Sequence, residues 1–211
     1  LQVNGEEGGN VLFEAEIDQE YGALNCNVVA LDKKSAEYEE LAEYVLKSQI
    51  KSKRVKVKDV FTLKRDEEQK QFTQQVSNQR LLFHGSRIQN WVGLLSRGIL
   101  MPKLVVTMGV NRTDAGWLGN GIYFGDAACT SAFYTTPGKK KTRLMAVSRV
   151  ALGKAKQYDK ITYGINSPPS GYDSCHGVRC KNNFQSEFDD DEFVIYNPQQ
   201  QQMEYLVEFT A

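Results

Sequence analysis

The sequence predicts an α+β domain whose sheet is mainly antiparallel and is flanked by short helices. Two long apolar segments, 143–152 and 203–209, are predicted strands, and the chain shows no regular alternation of strand and helix. The Gly-x-Gly of Gly119 and Gly121 comes before a strand, whereas a dinucleotide-binding loop follows one. A Rossmann domain is therefore excluded. With 211 residues, the chain is long enough to form one sizeable core.

The first half of the chain is predicted to contain several short strands and a few amphipathic helices. Residues 1–20 contain glycines among acidic residues and are predicted to form a linker or tail, with a short edge strand at 11–17. Further strands are predicted at 25–31, at 55–63 with a bulge at 60–61, and at 80–84. Helices are predicted at 35–48 with Asp32 or Ser35 as N-cap, at 66–78, and at 90–97 before Gly98.

The second half contains more irregular segments. Residues 100–116 are predicted to form a loop, and 153–185, rich in Gly, Pro, Ser and Asn, to be irregular. Asp126 is predicted to cap a helix that carries Ser131 and Tyr134 and ends before Pro137. The remaining predicted strands are 119–125, 143–152, 192–196 and 203–209, with a turn at 197–198.

Charge and hydropathy exclude several classes of protein. Lys plus Arg and Asp plus Glu both number 26, so no net positive charge attracts nucleic acid to this domain. The lysines of 55–63 are interpreted as the wet face of a half-exposed strand. No stretch approaches a membrane span, and no signal peptide is visible. Because the chain begins with Leu1 and not Met, we expect a fragment or a processed product.

The cysteines indicate a reduced, intracellular protein. Four cysteines are spread along the chain without a Cys-x-x-Cys pair. Cys175, His176 and Cys180 are the candidate metal ligands, but their spacing matches no standard zinc motif and a fourth ligand is missing. No metal site is predicted.

Three places in the sequence carry groups suited to chemistry. They are His84-Gly85-Ser86 at a strand end, Tyr123 followed by Ser131 and Tyr134, and Glu192 behind three aspartates. Each also has an ordinary structural explanation. A histidine at a strand end is often structural, tyrosines are often core residues with a wet hydroxyl, and a run of carboxylates is often a solvated loop.

The order of these motifs resembles the catalytic domain of the poly(ADP-ribose) polymerase family, specifically the ADP-ribosyltransferases with a His–Tyr–Glu triad. The resemblance runs from about residue 25 to about residue 209 and implies the ADP-ribosyltransferase fold, with a catalytic domain over 21–211. The segments that carry it are 81–98, 119–134, 150–153, 171–177 and 191–196. The segments 91–93, 171–174 and 190–194 look most like the vault-associated branch.

The resemblance implies NAD as substrate and assigns four residues to the nicotinamide. Gly85 matches the glycine whose backbone pairs with the carboxamide, where a side chain would block the approach. Ser131 matches the hydroxyl that completes this pairing. Tyr123 and Tyr134 match the two tyrosines that enclose the cationic ring, which aromatic faces attract.

The resemblance also assigns the ribose contacts and the catalytic carboxylate. His84 matches the residue that hydrogen-bonds the adenine-side ribose, and Ser86 and Asn90 fall near the adenosine. Glu192 matches the glutamate that binds the ribose 2′-hydroxyl, stabilises the oxocarbenium-like transition state and orients the incoming nucleophile. His84, Tyr123 and Glu192 are thus the implied catalytic residues, and no metal is required.

Two departures from the family pattern concern the acceptor. Thr130 stands where the nuclear polymerases have a lysine, and 116–118 also differ. A glutamate at 192 accompanies chain elongation in the family, so transfer to proteins, including the protein itself, with elongation to poly(ADP-ribose) is the leading prediction. The alternatives are single transfer, NAD hydrolysis in the same pocket, or an inactive module that binds NAD or ADP-ribose.

The resemblance sets expectations for partners and regulation as well. We expect a monomer in the nucleus or cytoplasm, with any nucleic-acid binding left to domains outside this segment. The nuclear polymerases carry a helical regulatory domain just upstream, and only about 20 residues precede the resemblance here. We therefore expect this segment to turn over NAD without DNA.

Overall fold

The computed structural model describes residues 16–50, 52–109 and 116–211, and their strands form one sheet. The strands are β1 (Asn27–Ala30), β2 (Lys56–Lys64), β3 (Gln79–Gly85), β4 (Ile122–Gly125), β5 (Arg143–Ala151), β6 (Ala155–Tyr158), β7 (Ser174–Gly177), β8 (Glu192–Ile195) and β9 (Gln201–Thr210). Their order across the sheet is β1-β2-β9-β5-β3-β4-β8-β7-β6. Neighbouring strands are antiparallel apart from β6 and β7, which are parallel. The predicted fold class is confirmed.

Short helices flank this sheet, as the sequence predicts. They are α1 (Glu16–Gly22), α2 (Ala36–Lys47), α3 (Asp66–Gln71), α4 (Trp91–Arg97), α5 (Pro102–Thr107) and α6 (Ala128–Ala132). Within the described ranges, none of these helices has the length and apolarity that crossing a membrane requires. The predicted edge strand at 11–17 falls largely outside those ranges, and the predicted tail at 1–20 stays a prediction.

The core lies on both faces of the sheet, centred on β3, β5 and β9. Successive side chains of a strand point to opposite faces, so adjacent residues of β5 serve different clusters. Met145 packs with Phe83 on one face, where α2 inserts Leu41 and Val45. Ala146 packs on the other face, in the cluster that contains Leu82, Leu206 and Trp91 of α4. Each fully buried aliphatic or aromatic side chain contributes about 1.5–3 kcal/mol.

Helix α2 forms as predicted, whereas the structure corrects the regions around it. Ser35 is the N-cap, and its Oγ accepts a hydrogen bond from the Tyr38 amide at 3.2 Å. The bulge in β2 lies between Val57 and Asp59, and not at 60–61. The helix predicted at 66–78 ends at Gln71, because the buried Phe72 leaves helical geometry with φ −59° and ψ 128°.

Three further corrections concern the second half of the chain. The predicted loop at 100–116 contains α5, which starts at Pro102, a residue well suited to the first turn of a helix. The predicted irregular segment at 153–185 contains β6 and β7. Asp126 does not cap α6: the N-cap position is Ala127, which makes no side-chain capping bond, and the Asp126 carboxylate pairs with Arg179 instead.

A buried ion pair fixes the end of α4, which later forms one wall of the site. The Arg65 guanidinium donates hydrogen bonds to the carbonyls of Leu95 (2.8 Å) and Ser96 (2.9 Å) and pairs with Glu68 at 3.0 Å. Gly98 ends the helix with φ +79°, and a Cβ there would lie 2.5 Å from Glu68 Oε1. Both the backbone conformation and the close ion pair therefore require glycine at this position.

Candidate active site

A cavity of about 300 Å³ is lined by residues of the neighbouring strands β3, β4 and β8 and of the helices α4, α5 and α6. Its volume lies in the range of small-molecule sites. Every site residue predicted from the sequence lines it, namely His84, Gly85, Ser86, Asn90, Tyr123, Ser131, Tyr134 and Glu192. These residues come from four separate segments of the chain, 84–90, 123, 131–134 and 192, and the sheet order makes β3, β4 and β8 neighbours.

The backbone of Gly85 is packed directly against α6. A Cβ at this position would lie 1.9 Å from the carbonyl oxygen of Ser131, so any side chain would push the helix away from β3. The Ser131 hydroxyl also donates a hydrogen bond to the Phe83 carbonyl at 3.2 Å. Glycine is thus required here by the packing of the fold itself, a reason that the sequence did not reveal.

Tyr123 and His84 are held by backbone groups. The Tyr123 hydroxyl donates to the Gly119 carbonyl (2.9 Å) and accepts from the Leu118 amide (2.8 Å). The Tyr123 carbonyl can only accept, so His84 Nδ1 is the donor in their 2.9 Å hydrogen bond. In the neutral imidazole this tautomer makes Nε2 an acceptor. This hydrogen bond fixes both the orientation of the His84 ring and its tautomer.

The turn from β3 into α4 places Ser86 beside Asn90. Asn90 Nδ2 donates to Ser86 Oγ at 3.0 Å, and the Trp91 indole N–H donates to the Ser86 carbonyl at 3.3 Å. Tyr134 lies on the opposite wall with 38% of its surface exposed, which places it at the cavity mouth. The helix predicted to carry Tyr134 ends two residues earlier, at Ala132.

Glu192 opens β8 between two glycines on the neighbouring strands. Its register partners are Gly125 of β4 on one side and Gly177 of β7 on the other. Directly opposite residues of paired strands share a face of the sheet. On that face a Cβ at Gly125 would lie 3.3 Å from Ser131 Oγ and one at Gly177 would lie 2.6 Å from the Phe188 ring, so the two glycines let these side chains pack beside the strand start that carries Glu192. The Glu192 side chain is half-buried and lines the cavity.

The aspartates before Glu192 are not the solvated run that composition allows. Asp189 is exposed, but the side chains of Asp190 and Asp191 are each only 13% exposed and face Arg179, itself 12% exposed. Arg179 Nη2 lies 3.0 Å from Asp126 Oδ1 and 3.5 Å from Asp191 Oδ2, and its Nε lies 3.7 Å from Asp190 Oδ1. One guanidinium thus contacts three carboxylates.

Two more side chains complete this cluster. His176 Nε2 donates to Asp191 Oδ1 at 2.7 Å, and the His176 ring stacks on Phe193 with centroids 4.3 Å apart. Thr130, on α6, donates its hydroxyl hydrogen to Asp190 Oδ2 at 2.9 Å. The position that departs from the family lysine therefore serves as a hydrogen-bond donor to the strand end beside Glu192.

Two carboxylates of this cluster, Asp191 and Asp126, have pKa values that are shifted in opposite directions. Burial acts to raise the pKa of Asp191, but the hydrogen bonds from His176 and the Arg179 amide, with the charges of both residues, lower it below its ordinary value. Burial raises the pKa of Asp126, and the attraction of Arg179 offsets this only in part. The cluster therefore favours the ionised form of Asp191 over that of Asp126.

Part of the cavity wall was not predicted from the sequence. Gln89, Arg97, Pro102, Val106 and Met108 also line it, and the last three come from α5 and the residues after it. Leu104, Val106 and Met108 are exposed, so they form no buried periodic face that would mark this segment as a helix. Pro102, at the first helical position, is the signal that could have revealed it.

The candidate metal ligands weighed from the sequence serve other contacts. His176 binds Asp191, Cys180 is exposed, and Cys175 is buried, which raises the pKa of its thiol. Across the described ranges, no group of three or more His, Cys, Asp or Glu side chains is arranged to hold a metal ion.

Replacing Asp191 with Asn tests the charge cluster through its pH dependence. A carboxyl group whose pKa is lowered by folding stabilises the folded state at pH values above its ordinary pKa of about 3.9. This stabilisation is lost as the pH falls through the pKa of the folded state. Asp191→Asn should thus lower the free energy of unfolding by about 2 kcal/mol at pH 7, with the deficit shrinking below about pH 4. Urea titrations of both proteins from pH 7 to pH 3 measure this difference.

Glu40→Gln, at an exposed position of α2, provides the control and should keep the parent's free energy of unfolding from pH 7 to pH 3. A deficit for Asp191→Asn that stays constant down to pH 3 would contradict the assigned charge interactions.

Comparison with known proteins places the chain in a family. Residues 35–211 match the family model described as poly(ADP-ribose) polymerase catalytic domain. The chain is 40% identical over 190 residues to the mouse protein mono-ADP-ribosyltransferase PARP4, an alignment that covers 90% of this chain and 10% of the mouse protein. It is 39% identical over 191 residues to human PARP4, covering 90% and 11%. Human poly [ADP-ribose] polymerase 2 is 28% identical over 229 residues, covering 92% and 38%.

The chain thus spans about a tenth of the length of the PARP4 proteins. These matches confirm the family predicted from the ordered motifs and agree with the predicted branch. The chain belongs to the poly(ADP-ribose) polymerase catalytic domain family, the NAD-dependent ADP-ribosyltransferases.

Proposed function

We propose that this domain transfers ADP-ribose from NAD to protein acceptors at the cavity between β3, β4 and β8. The observation that carries the proposal is that all eight residues matched to the family's site line this one cavity. Glu192 stands at its edge between Gly125 and Gly177. No step of the proposed reaction calls for a metal ion.

The nicotinamide end of NAD binds between β3 and α6 in this proposal. The carboxamide pairs with the backbone of Gly85 and with the Ser131 hydroxyl, which are fixed relative to each other by the close packing of α6 on β3. Tyr123 and Tyr134 present aromatic faces to the cationic ring. Because the Tyr123 hydroxyl is tied to the 118–119 backbone, its ring is preorganised.

The adenosine side of NAD binds near the turn after β3. His84 is held by its Nδ1 hydrogen bond to Tyr123, so its Nε2 is an acceptor for a ribose hydroxyl. Ser86 and Asn90, hydrogen-bonded to each other, supply hydroxyl and amide groups on the same wall. His84 therefore positions the substrate and takes no proton in the chemical step.

Glu192 carries the chemistry. Its carboxylate accepts a hydrogen bond from the ribose 2′-hydroxyl beside the anomeric carbon. The bond from C1′ to the nicotinamide nitrogen breaks with its electron pair going to the ring, which leaves as neutral nicotinamide. Positive charge develops on the ribose, and a fixed carboxylate stabilises it. The acceptor then bonds to C1′ and gives its proton to Glu192 or to water.

The charges beside Glu192 favour transfer of a single ADP-ribose. Elongation requires the pyrophosphate of a first ADP-ribose to bind next to the catalytic carboxylate. Asp126, Asp190 and Asp191 lie close to that place, and the cation that contacts them, Arg179, is shared among all three. Their field disfavours an anionic acceptor. The two PARP4 relatives are also named mono-ADP-ribosyltransferases.

Glu192→Gln tests the catalytic assignment. The variant keeps the size of the side chain and removes the charge that stabilises the transition state, so nicotinamide release should fall by about 100-fold or more. Steady-state release of nicotinamide from NAD measures the effect, with Glu40→Gln on the exposed face of α2 as the control. Equal turnover in Glu192→Gln and Glu40→Gln would show that Glu192 does not carry the reaction.

The length of the product tests the acceptor argument. After incubation with labelled NAD, single transfer gives sharp bands on a denaturing gel and a mass increase of one ADP-ribose at each modified site. A smear that lengthens with time would show elongation, as the triad glutamate alone suggests, and would overturn the charge argument.

A further inference from the structure

We infer that Arg179 is a positioning residue that holds Glu192 in place by joining three strand ends. The inference rests on the proposed catalytic role of Glu192 and deepens it. Arg179 does not line the cavity described above, so it acts through other residues and not through contact with NAD.

The directions of β4, β7 and β8 bring Arg179, Asp126 and the aspartates before Glu192 together. β8 runs antiparallel to both of its neighbours, so its start lies beside the ends of β4 and β7. Gly125 and Gly177 are the last residues of those strands and flank Glu192. The next residues along each strand direction are Asp126 after β4 and Val178 and Arg179 after β7.

The guanidinium of Arg179 contacts all three strand ends. Nη2 reaches Asp126 beyond β4 at 3.0 Å and Asp191 before β8 at 3.5 Å, while Nε lies 3.7 Å from Asp190. The Arg179 amide also donates to Asp191 Oδ1 at 3.1 Å. A planar guanidinium with several fixed donors can join three carboxylates, whereas the single ammonium of a lysine cannot do so with the same geometry.

The cluster extends from Glu192 to the helix that carries Ser131. Asp191 is bonded directly to Glu192 in the chain, and Asp190 accepts a hydrogen bond from Thr130, the residue before Ser131. The carboxylate proposed to act on the ribose and the hydroxyl proposed to hold the carboxamide are therefore fixed by one set of contacts. Their spacing sets the position of the reacting carbon relative to Glu192.

Loss of Arg179 leaves three partly buried carboxylates close together without the cation that joins them. Their mutual repulsion displaces the start of β8, and with it Glu192. A displacement of about 1 Å in a catalytic group can lower a rate by about 100-fold. Ser131 is also held by its hydrogen bond to the Phe83 carbonyl and by the close packing of α6 on Gly85, neither of which involves Arg179, so NAD binding is affected much less.

Arg179→Met tests this by separating kcat from KM. We expect kcat for nicotinamide release to fall by about 10- to 100-fold, while KM for NAD stays within about twofold of the parent. The matched control is Arg149→Met, which removes an arginine paired with Glu204 at 2.6 Å on β5 and β9. The control should keep the parent's kcat and KM.

A second variant covers the case in which Arg179→Met fails to fold. Asp126→Asn keeps the side-chain size and weakens one anchor of Arg179, so kcat should fall in the same direction by a smaller factor. The inference is overturned if a folded Arg179→Met protein, or Asp126→Asn, has the kcat of the control, or if KM rises while kcat is unchanged.

Glu192→Gln, assayed alongside, separates this inference from the proposed function. If Glu192→Gln retains full turnover, the catalytic assignment fails and the positioning inference fails with it. If Glu192→Gln is inactive while Arg179→Met behaves like Arg149→Met, the catalytic assignment stands and only the positioning inference is wrong.

Discussion

The antiparallel placement of β8 between β4 and β7 is the constraint on which the site depends. It sets Glu192 between Gly125 and Gly177, and it sets the aspartates before Glu192 beside the ends of both neighbours. The two glycines let Ser131 and Phe188 pack closely beside the start of β8, and the contacts of Arg179 hold that strand end in place.

The wall of the cavity formed by β3, β4 and α6 is built by close packing and not by charge. Gly85 lets α6 approach β3 so closely that a methyl group would collide with the Ser131 carbonyl. Backbone hydrogen bonds hold the Tyr123 hydroxyl and the His84 ring. One wall is thus rigid and nearly neutral, while the wall beside Glu192 is acidic. In the proposed function, the first wall recognises NAD and the second selects the acceptor.

The sequence predicted the features that depend on local patterns and on ordered motifs. A long apolar run marked β5, apolar alternation marked β9, and Ser35 marked the start of α2. The same motifs named eight residues that line one cavity. Prediction from the sequence failed where contacts between distant residues decide the local structure. Asp126 has the sequence position of an N-cap, but its carboxylate pairs with Arg179, 53 residues away. Leu104 and Val106 of α5 are exposed and give no buried periodicity, and the buried Phe72 ends α3 early.

A crystal structure of the Glu192→Gln variant with NAD tests the central claim most directly. We expect the nicotinamide ring between Tyr123 and Tyr134, its carboxamide on the Gly85 backbone and Ser131, and the ribose 2′-hydroxyl within hydrogen-bond distance of residue 192. NAD bound with its nicotinamide outside this cavity, or with the ribose on the far side from residue 192, would contradict it.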